Sequence, residues 1–201
     1  MKLLFFDLEF ATSKGGKFKI CEFGYVLTSE KFEILKKENI IINPNIPKSE
    51  WDFWALKHIL TRTINDYNSQ PKFDHYYNKL VDLISSADSI FGHTLVSDVK
   101  ALNDELCRYD LPSINYSYYD TNLIYQLYTN SNESISLKNL LNALEIIGDK
   151  NEHNAESDAY NTMLCVKKLS HLYGSINQML ESCSISKDKT ENYEIASKKR
   201  K

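Results

Sequence analysis

Residues 1–10 read MKLLFFDLEF, an apolar stretch interrupted by two carboxylates, Asp7 and Glu9. Side chains alternate between the two faces of a β-strand, so Asp7 and Glu9 share one face with the odd-numbered apolar residues before them. The even-numbered positions are apolar as well, which predicts a central strand that is covered on both sides. The two carboxylates then emerge side by side at the end of a buried strand.

Two carboxylates about 7 Å apart along a strand are costly at the rim of a core unless a cation neutralises them or they turn into water. An Asp-x-Glu at a strand end is often a solvated turn. The alternative is a site for a divalent metal ion. The first ten residues alone leave both interpretations open.

The composition is that of an ordinary globular protein, with 201 residues, 25% charged and 42% hydrophobic. The net charge of -3 argues against a protein that coats nucleic acid by bulk electrostatics, but not against an enzyme with local basic contacts. From Ser184 onward, Lys, Ser, Asp and Glu dominate, and the chain closes on three lysines and an arginine. We expect one domain over 1–183 and a disordered lysine-rich tail over 184–201.

The cysteines, Cys21, Cys107, Cys165 and Cys183, contain no C-x-x-C pair. Their apolar or helical surroundings predict free buried thiols, which favours a reducing, cytoplasmic compartment. The short apolar start lacks the features of a signal peptide. No stretch approaches the length that spans a membrane, so no membrane partner is expected.

The pattern of apolar residues predicts strands followed by alternating strands and helices, which is typical of a mixed α/β sheet flanked by helices. Strands are predicted over 1–10, 18–28, 30–43, 88–92 and 116–119. Helices are predicted over 71–87, 95–109, 136–144 and 155–180, with another after Thr121 and short helical turns within 45–68.

Two further acids fall on the inward side of predicted helices. Asp98 lies between Leu95 and Leu102 on an apolar stripe, and Asp158 aligns with the buried face of the last helix. An acid in the first turn of a helix is also favoured by the helix dipole, by about 0.3–1 kcal/mol, but such acids usually point to water. His153 stands just before the last helix, where a surface or hydrogen-bonded role is the common alternative to catalysis.

Taken together, these motifs resemble the DEDDh family of 3′–5′ exonucleases, which includes ribonuclease T, oligoribonuclease and the proofreading subunit of bacterial DNA polymerase III. The motifs are FFDLEFA (5–11), IFGHTLVSDVKAL (90–102) and HNAESDA (153–159), with softer matches at ICEFGYV (20–26) and YYDT (118–121). The resemblance spans roughly Lys2 to Leu172. It implies a ribonuclease H-like fold with a mixed five-stranded sheet flanked by helices.

The resemblance also implies a metal-dependent 3′–5′ exonuclease that uses two Mg²⁺ or Mn²⁺ ions to hydrolyse DNA or RNA and releases nucleoside 5′-monophosphates. Asp7 would bridge the ions, Glu9 and Asp158 would complete the tighter site, and Asp98 would hold the looser ion. His153 would take the proton from the attacking water. The expected partner is nucleic acid, single-stranded or at a 3′ end.

The chain departs from the family beside the first motif, where many relatives carry Thr directly after the motif Glu to seat the terminal nucleotide. Here Phe10 and Ala11 precede Thr12. Phe10 and Thr12 are candidate substrate contacts, although Phe10 also fits the core. His93 either lines the substrate cleft or makes a structural hydrogen bond, and Asp120 is better explained as a helix N-cap than as a metal ligand.

Two other functions stay open on the sequence. One is a non-catalytic nucleic-acid-binding module on the same fold, and the other is a metal phosphoesterase that acts on a small nucleotide. The preference between DNA and RNA, a polymerase partner and a homodimer are equally open.

Overall fold

The computed structural model of the protein describes residues 1–12, 18–51, 53–150, 154–185 and 192–194. A five-stranded mixed sheet forms its centre, as the sequence predicted. The described residues contain seven strands, of which β5 and β7 pair outside this sheet. They are β1 (Lys2–Thr12), β2 (Phe18–Ser29), β3 (Ile34–Ile41), β4 (Ser89–Gly92), β5 (Asn115–Ser117), β6 (Tyr119–Asp120) and β7 (Asn192–Glu194). The order in the sheet is β3-β2-β1-β4-β6. Strands β1, β2 and β3 form an antiparallel meander, while β4 and β6 are parallel to β1.

Eight α-helices and one short 3₁₀ turn (Lys48–Glu50) occur among the described residues. The α-helices are α1 (Phe53–His58), α2 (Ile64–Asn68), α3 (Phe73–Ser85), α4 (Val96–Arg108), α5 (Thr121–Thr129), α6 (Leu137–Ala143), α7 (Ala155–Leu172) and α8 (Ile176–Ile185).

The alternation predicted for β1 is confirmed, because its two faces belong to different core clusters. Leu3 and Phe5 are buried with residues of α6, α7 and α8. Leu4, Phe6 and Leu8 are buried on the other face with residues of α3 and α4. A strand covered on both sides must be apolar on both sides, which explains the unbroken run that opens the chain.

The last long helix is shorter than predicted. The chain leaves α7 at Leu172 and begins α8 at Ile176, with Gly174 between them at φ +96°. Glycine reaches this left-handed region without a steric penalty, so it ends helices readily. Leu172, in the last turn of α7, is 41% exposed.

Two strand predictions also need correction. The third strand begins at Ile34 rather than Glu30, because Ser29 and Glu33 close a turn in which Phe32 adopts φ 61°. The predicted strand 116–119 is split, since β5 leaves the main sheet to pair with β7 and only β6 joins β4. Apart from β7, residues 186–201 lie outside the described part of the chain, so the disordered tail stays a prediction.

The four cysteines are free, as predicted, but Cys107 is exposed and only the other three are buried. Cys107 lies on the outer side of α4, away from the apolar stripe that guided the prediction. Within the described residues, the structure contains no helix long and apolar enough to cross a membrane.

Candidate metal centre

Asp7 and Glu9 lie before a bulge in the β1–β2 pairing rather than at the end of β1. Glu9 pairs with Glu22 and Phe10 pairs with Ile20, so β2 carries one extra residue at this point and β1 continues to Thr12. The buried carboxylate of Glu105 accepts a hydrogen bond from the backbone of Ile20. A bulge increases the local twist and re-aims nearby side chains, so it helps to set the direction of Glu9.

Gly24 lets α7, the helix that carries Asp158, lie close to β1 and β2. It pairs with Asp7 across β1 and β2, and a Cβ atom on it would lie 1.9 Å from the backbone carbon of Ala155. The N-terminus of α7 therefore rests directly on the sheet, and its first turn carries Asp158. Gly24 was not predicted to matter for the site, although an isolated glycine inside a strand pattern signals such a close approach.

Asp7, Glu9 and Asp158 form a cluster of three carboxylates. Each presents an oxygen atom, and these atoms lie within 4.8 Å of one another. Glu9 is 7% exposed, while Asp7 and Asp158 are half-buried. Oxygen donors of this kind are the ligands that Mg²⁺ and Mn²⁺ prefer, so the cluster fits a divalent cation.

Asp98 stands next to this cluster on the opposite side of β1. Its Oδ1 accepts the backbone N–H of Leu8 at 2.9 Å, and its side chain is 7% exposed. The predicted stripe on α4 is confirmed, since Val99 and Leu102 are fully buried. Asp98 is not within the three-carboxylate group, but it is hydrogen-bonded to Leu8, the residue between Asp7 and Glu9, and its charge raises the pKa of Asp7.

Burial and mutual repulsion make the ionised cluster unfavourable. Burial is the main cause that raises the pKa of Glu9 to about 8, and the charges of Asp158, Glu22 and Asp98 add to it. The pKa of Asp7 is well above its usual value for the same reasons. Burial also raises the pKa of Asp98 to about 7, although its bond from Leu8 opposes the shift. A bound cation would reverse these shifts.

Glu22 is a further buried acid that the sequence analysis did not single out. It is fully buried and accepts hydrogen bonds from the Tyr67 hydroxyl at 2.7 Å and from Asn39 Nδ2 at 2.6 Å. Arg62 Nε lies 3.7 Å from its carboxylate. These contacts join the segment around α2 to the strand beside Glu9. An acid within the apolar run ICEFGYV was the available signal.

The two substrate candidates after Glu9 are half-buried. The Phe10 ring lies 4.5 Å from the Phe18 ring and packs at the edge of the core, which agrees with the core alternative. Thr12 is half-buried at the end of β1. Both stay predictions as substrate contacts.

His93 uses both ring nitrogens within the protein. Nε2 lies 2.9 Å from the carbonyl oxygen of Ile135, to which it donates, and Nδ1 lies 2.8 Å from the Thr121 hydroxyl. Burial lowers the pKa of His93 and so favours the neutral ring, although the charge of Asp120 opposes this shift. These bonds favour the structural alternative for His93.

Asp120 caps α5, as predicted, by accepting the N–H of Asn122 at 2.9 Å. It also accepts the N–H groups of Thr94 and Leu95, which lie just ahead of α4. Asp120 therefore fixes the start of the helix that carries Asp98. His153, the predicted general base, lies outside the described residues.

A family model described as "DNA polymerase III subunit epsilon-like, C-terminal domain" (DEDDh_C) matches residues 48–169, more than half of the 201 residues. The chain belongs to this DEDDh family. No curated protein matches its sequence. DEDDh nucleases depend on divalent metal ions, and the acidic cluster of this DEDDh chain fits that requirement.

Solved structures agree on the fold. The nuclease domain of 3′hExo, a DEDDh family member bound to rAMP, has a TM-score of 0.70 and 17% identity, with 84% of this chain and 90% of that chain covered. A 3′-exonuclease that recognises the 3′ end of a histone mRNA stem-loop has a TM-score of 0.69 and 17% identity, with 84% and 63% covered. E. coli exonuclease I in complex with a dT13 oligonucleotide has a TM-score of 0.63 and 17% identity, with 83% and 40% covered.

This DEDDh chain thus spans less than two thirds of the last two structures. At these identities the comparison concerns the fold alone. It confirms the ribonuclease H-like α/β fold that the motifs implied.

Proposed function

We propose that the protein is a 3′–5′ exonuclease that hydrolyses phosphodiester bonds at the 3′ end of DNA or RNA and releases nucleoside 5′-monophosphates. The observation that carries the proposal is the cluster of Asp7, Glu9 and Asp158 oxygens within 4.8 Å of one another, with Asp98 beside it. A binding module without chemistry gains nothing from a cluster that burial and repulsion make unfavourable. Membership of the DEDDh family supports the same conclusion.

Four carboxylates would hold two Mg²⁺ or Mn²⁺ ions. Asp7, Glu9 and Asp158 would hold one ion, and Asp7 and Asp98 would hold the other. When bound, the ions supply an activated water and neutralise charge on the leaving oxygen. His153 would accept the proton of the attacking water, since an imidazole has a pKa close to neutral pH.

The direction of digestion is tested with matched DNA and RNA oligonucleotides labelled at the 5′ end, each single- or double-stranded. With Mg²⁺ or Mn²⁺ we expect a ladder of products that shorten from the unlabelled 3′ end, and EDTA stops it. Asp7→Ala removes the ladder. A ladder of equal intensity from Asp7→Ala contradicts the metal centre. Hydrolysis of a mononucleotide without a ladder from any oligonucleotide favours a small-nucleotide phosphoesterase.

His153→Ala separates metal binding from turnover. We expect its affinity for Mn²⁺ to stay at the wild-type value, because the carboxylates are intact. The rate of product formation should fall by about 10²–10⁴-fold, the usual contribution of a general base. Titration calorimetry with Mn²⁺ and single-turnover digestion measure the two quantities, and an unchanged rate removes His153 from the reaction.

A further inference from the structure

Two neighbouring aromatic side chains on α1 are exposed to solvent. Phe53 is 69% exposed and Trp54 is 63% exposed, whereas every other described Phe or Trp is buried or half-buried. The Trp54 ring lies 5.1 Å from the ring of His58, one turn later on the same helix, and His58 is exposed as well. The helix therefore presents a row of aromatic rings to solvent, with the exposed Lys57 on the same turn.

The acidic cluster lies next to α1. The helix contacts β1, and Ala11 lies two residues after Glu9 on the same face of that strand, about 7 Å further along. Ala11 is fully buried in a cluster with Trp51 and Leu60, which stand just before and just after α1. The acidic cluster is therefore bordered by α7 on one side and by α1 with its flanking residues on the other.

Glu22 fixes the segment after α1 to the strand beside the metal centre. It is fully buried and pairs with Glu9 across β1 and β2. Its carboxylate accepts hydrogen bonds from Thr61 Oγ1 at 3.3 Å and from the Tyr67 hydroxyl at 2.7 Å, and Arg62 Nε lies 3.7 Å away. Satisfied buried polar groups specify one arrangement of the segments that they join. With buried residues on either side of it, α1 has a fixed place beside the metal centre.

Exposed aromatic residues are also a common feature of surfaces that bind other proteins. The surroundings of this pair favour a nucleic-acid strand. Lys57 on α1 and Arg62 just after it, whose side chain is 39% exposed, supply positive charge next to the rings of a protein whose net charge is -3. Proteins that bind single strands combine cations for the backbone with aromatic rings on which bases stack.

We propose that Phe53 and Trp54 form a stacking platform for unpaired bases near the 3′ end of the substrate, so that the protein prefers single-stranded 3′ ends. Paired bases are already stacked within their duplex and gain nothing from the platform. The inference rests on the proposed exonuclease function, because it takes the acidic cluster as the place where the strand is cut.

Tryptophan fluorescence tests the contact without relying on turnover. Trp51 and Trp54 are the two tryptophans of the chain, and Trp51 is only 4% exposed, so a bound strand reaches Trp54. In Asp7→Ala, which by the proposed function does not cut, a single-stranded oligonucleotide with Mg²⁺ should quench the emission. Adding Trp54→Phe should leave the emission of Trp51 unquenched while the oligonucleotide still binds, because a ring remains.

Kinetics separate stacking from a general effect on the fold. Trp54→Leu and Phe53→Leu keep an apolar side chain but remove the ring, so each should raise KM for a single-stranded oligonucleotide by about 5–100-fold at unchanged kcat. KM for a blunt duplex should not change. Tyr128→Leu is the matched control, since Tyr128 is 44% exposed and its ring lies 5.5 Å from that of Tyr173, at the opposite end of α7 from Asp158. Its KM should equal that of the wild type.

Substrates with a single abasic position identify the base that stacks. When the abasic position is moved along the nucleotides at the 3′ end, at least one placement should weaken binding to the wild type by a similar factor. There Trp54→Leu should cause little further loss, because both changes remove the same contact.

Several results overturn the inference. They are unquenched emission, wild-type KM in Trp54→Leu, an equal loss on single-stranded and duplex substrates, and losses that add fully at every abasic position. A wild-type protein that digests nothing overturns the proposed function instead, and the quenching still decides whether the platform binds a single strand.

Discussion

At the scale of single residues, the buried carboxylate of Glu9 lowers the stability of the ion-free protein and offers a ligand to a divalent cation. Its carboxylate is nearly fully buried, and burial together with neighbouring acids raises its pKa to about 8. Glu9→Gln keeps the shape of the side chain but removes the charge. In EDTA at pH 8 we therefore expect the variant to be more stable than the wild type by about 1–2 kcal/mol, or roughly 2–8 °C in melting temperature.

The same variant should lose the stabilisation that Mg²⁺ gives to the wild type, because one charged ligand is missing. Differential scanning calorimetry with and without Mg²⁺ measures both effects. Glu181→Gln, the same change at an exposed position on α8, controls for net charge. A Glu9→Gln protein that melts below the wild type in EDTA contradicts the repulsion described here.

The sequence identified Asp7, Glu9, Asp98 and Asp158 because acids on apolar faces conflict with burial. Glu22 carries the same signal, as an acid within the apolar run ICEFGYV, but its partners do not follow from it. Tyr67 and Asn39 are distant in the chain, and only the fold brings them to Glu22. His93 illustrates the reverse case, since a motif position alone does not reveal that both ring nitrogens are already bonded.

At the scale of elements, the contact between β2 and α7 depends on Gly24. A methyl group there would overlap backbone atoms of Ala155 and Glu156, which cannot move without displacing the helix. Gly24→Ala should therefore shift the first turn of α7 away from Asp7. We expect a loss of several-fold or more in Mn²⁺ affinity together with a lower melting temperature.

Gly174→Ala is the matched control for this prediction. Gly174 has φ +96°, so alanine is strained there and should also lower the melting temperature. It lies at the far end of α7, however, and the Mn²⁺ affinity measured by calorimetry should stay unchanged. Equal losses of affinity in both variants would mean that general destabilisation, not the helix position, explains Gly24→Ala.

The sequence predicted the boundaries of helices and strands well where one local signal dominated. The predictions were wrong where a turn or pairing with a distant strand set the boundary. The helix after Pro71 and the strand 88–92 were found nearly in full. The break at Gly174 was missed because the apolar spacing continues across it into α8. The separation of β5 from β6 was missed because it depends on pairing with β7, about 75 residues later in the chain.

At the scale of the whole molecule, the acidic cluster couples folding to pH and to metal. Folding raises the pKa of Glu9 from 4.5 to about 8 and that of Asp98 from 3.8 to about 7. The folded state therefore binds more protons than the unfolded state between about pH 4 and pH 8. Stability from these groups is complete below the unfolded pKa values and is lost as the pH rises through the folded ones.

In EDTA we accordingly expect the wild type to lose stability between pH 5 and pH 8 more steeply than Glu9→Gln does. Saturating Mg²⁺ favours the ionised carboxylates, so the rise in melting temperature that it causes should be larger at pH 8 than at pH 5. Melting curves at both pH values, with EDTA or Mg²⁺, provide the comparison. A Mg²⁺ effect of equal size at both pH values would mean that ion binding displaces no protons, which is incompatible with a cluster whose buried acids are protonated before the metal arrives.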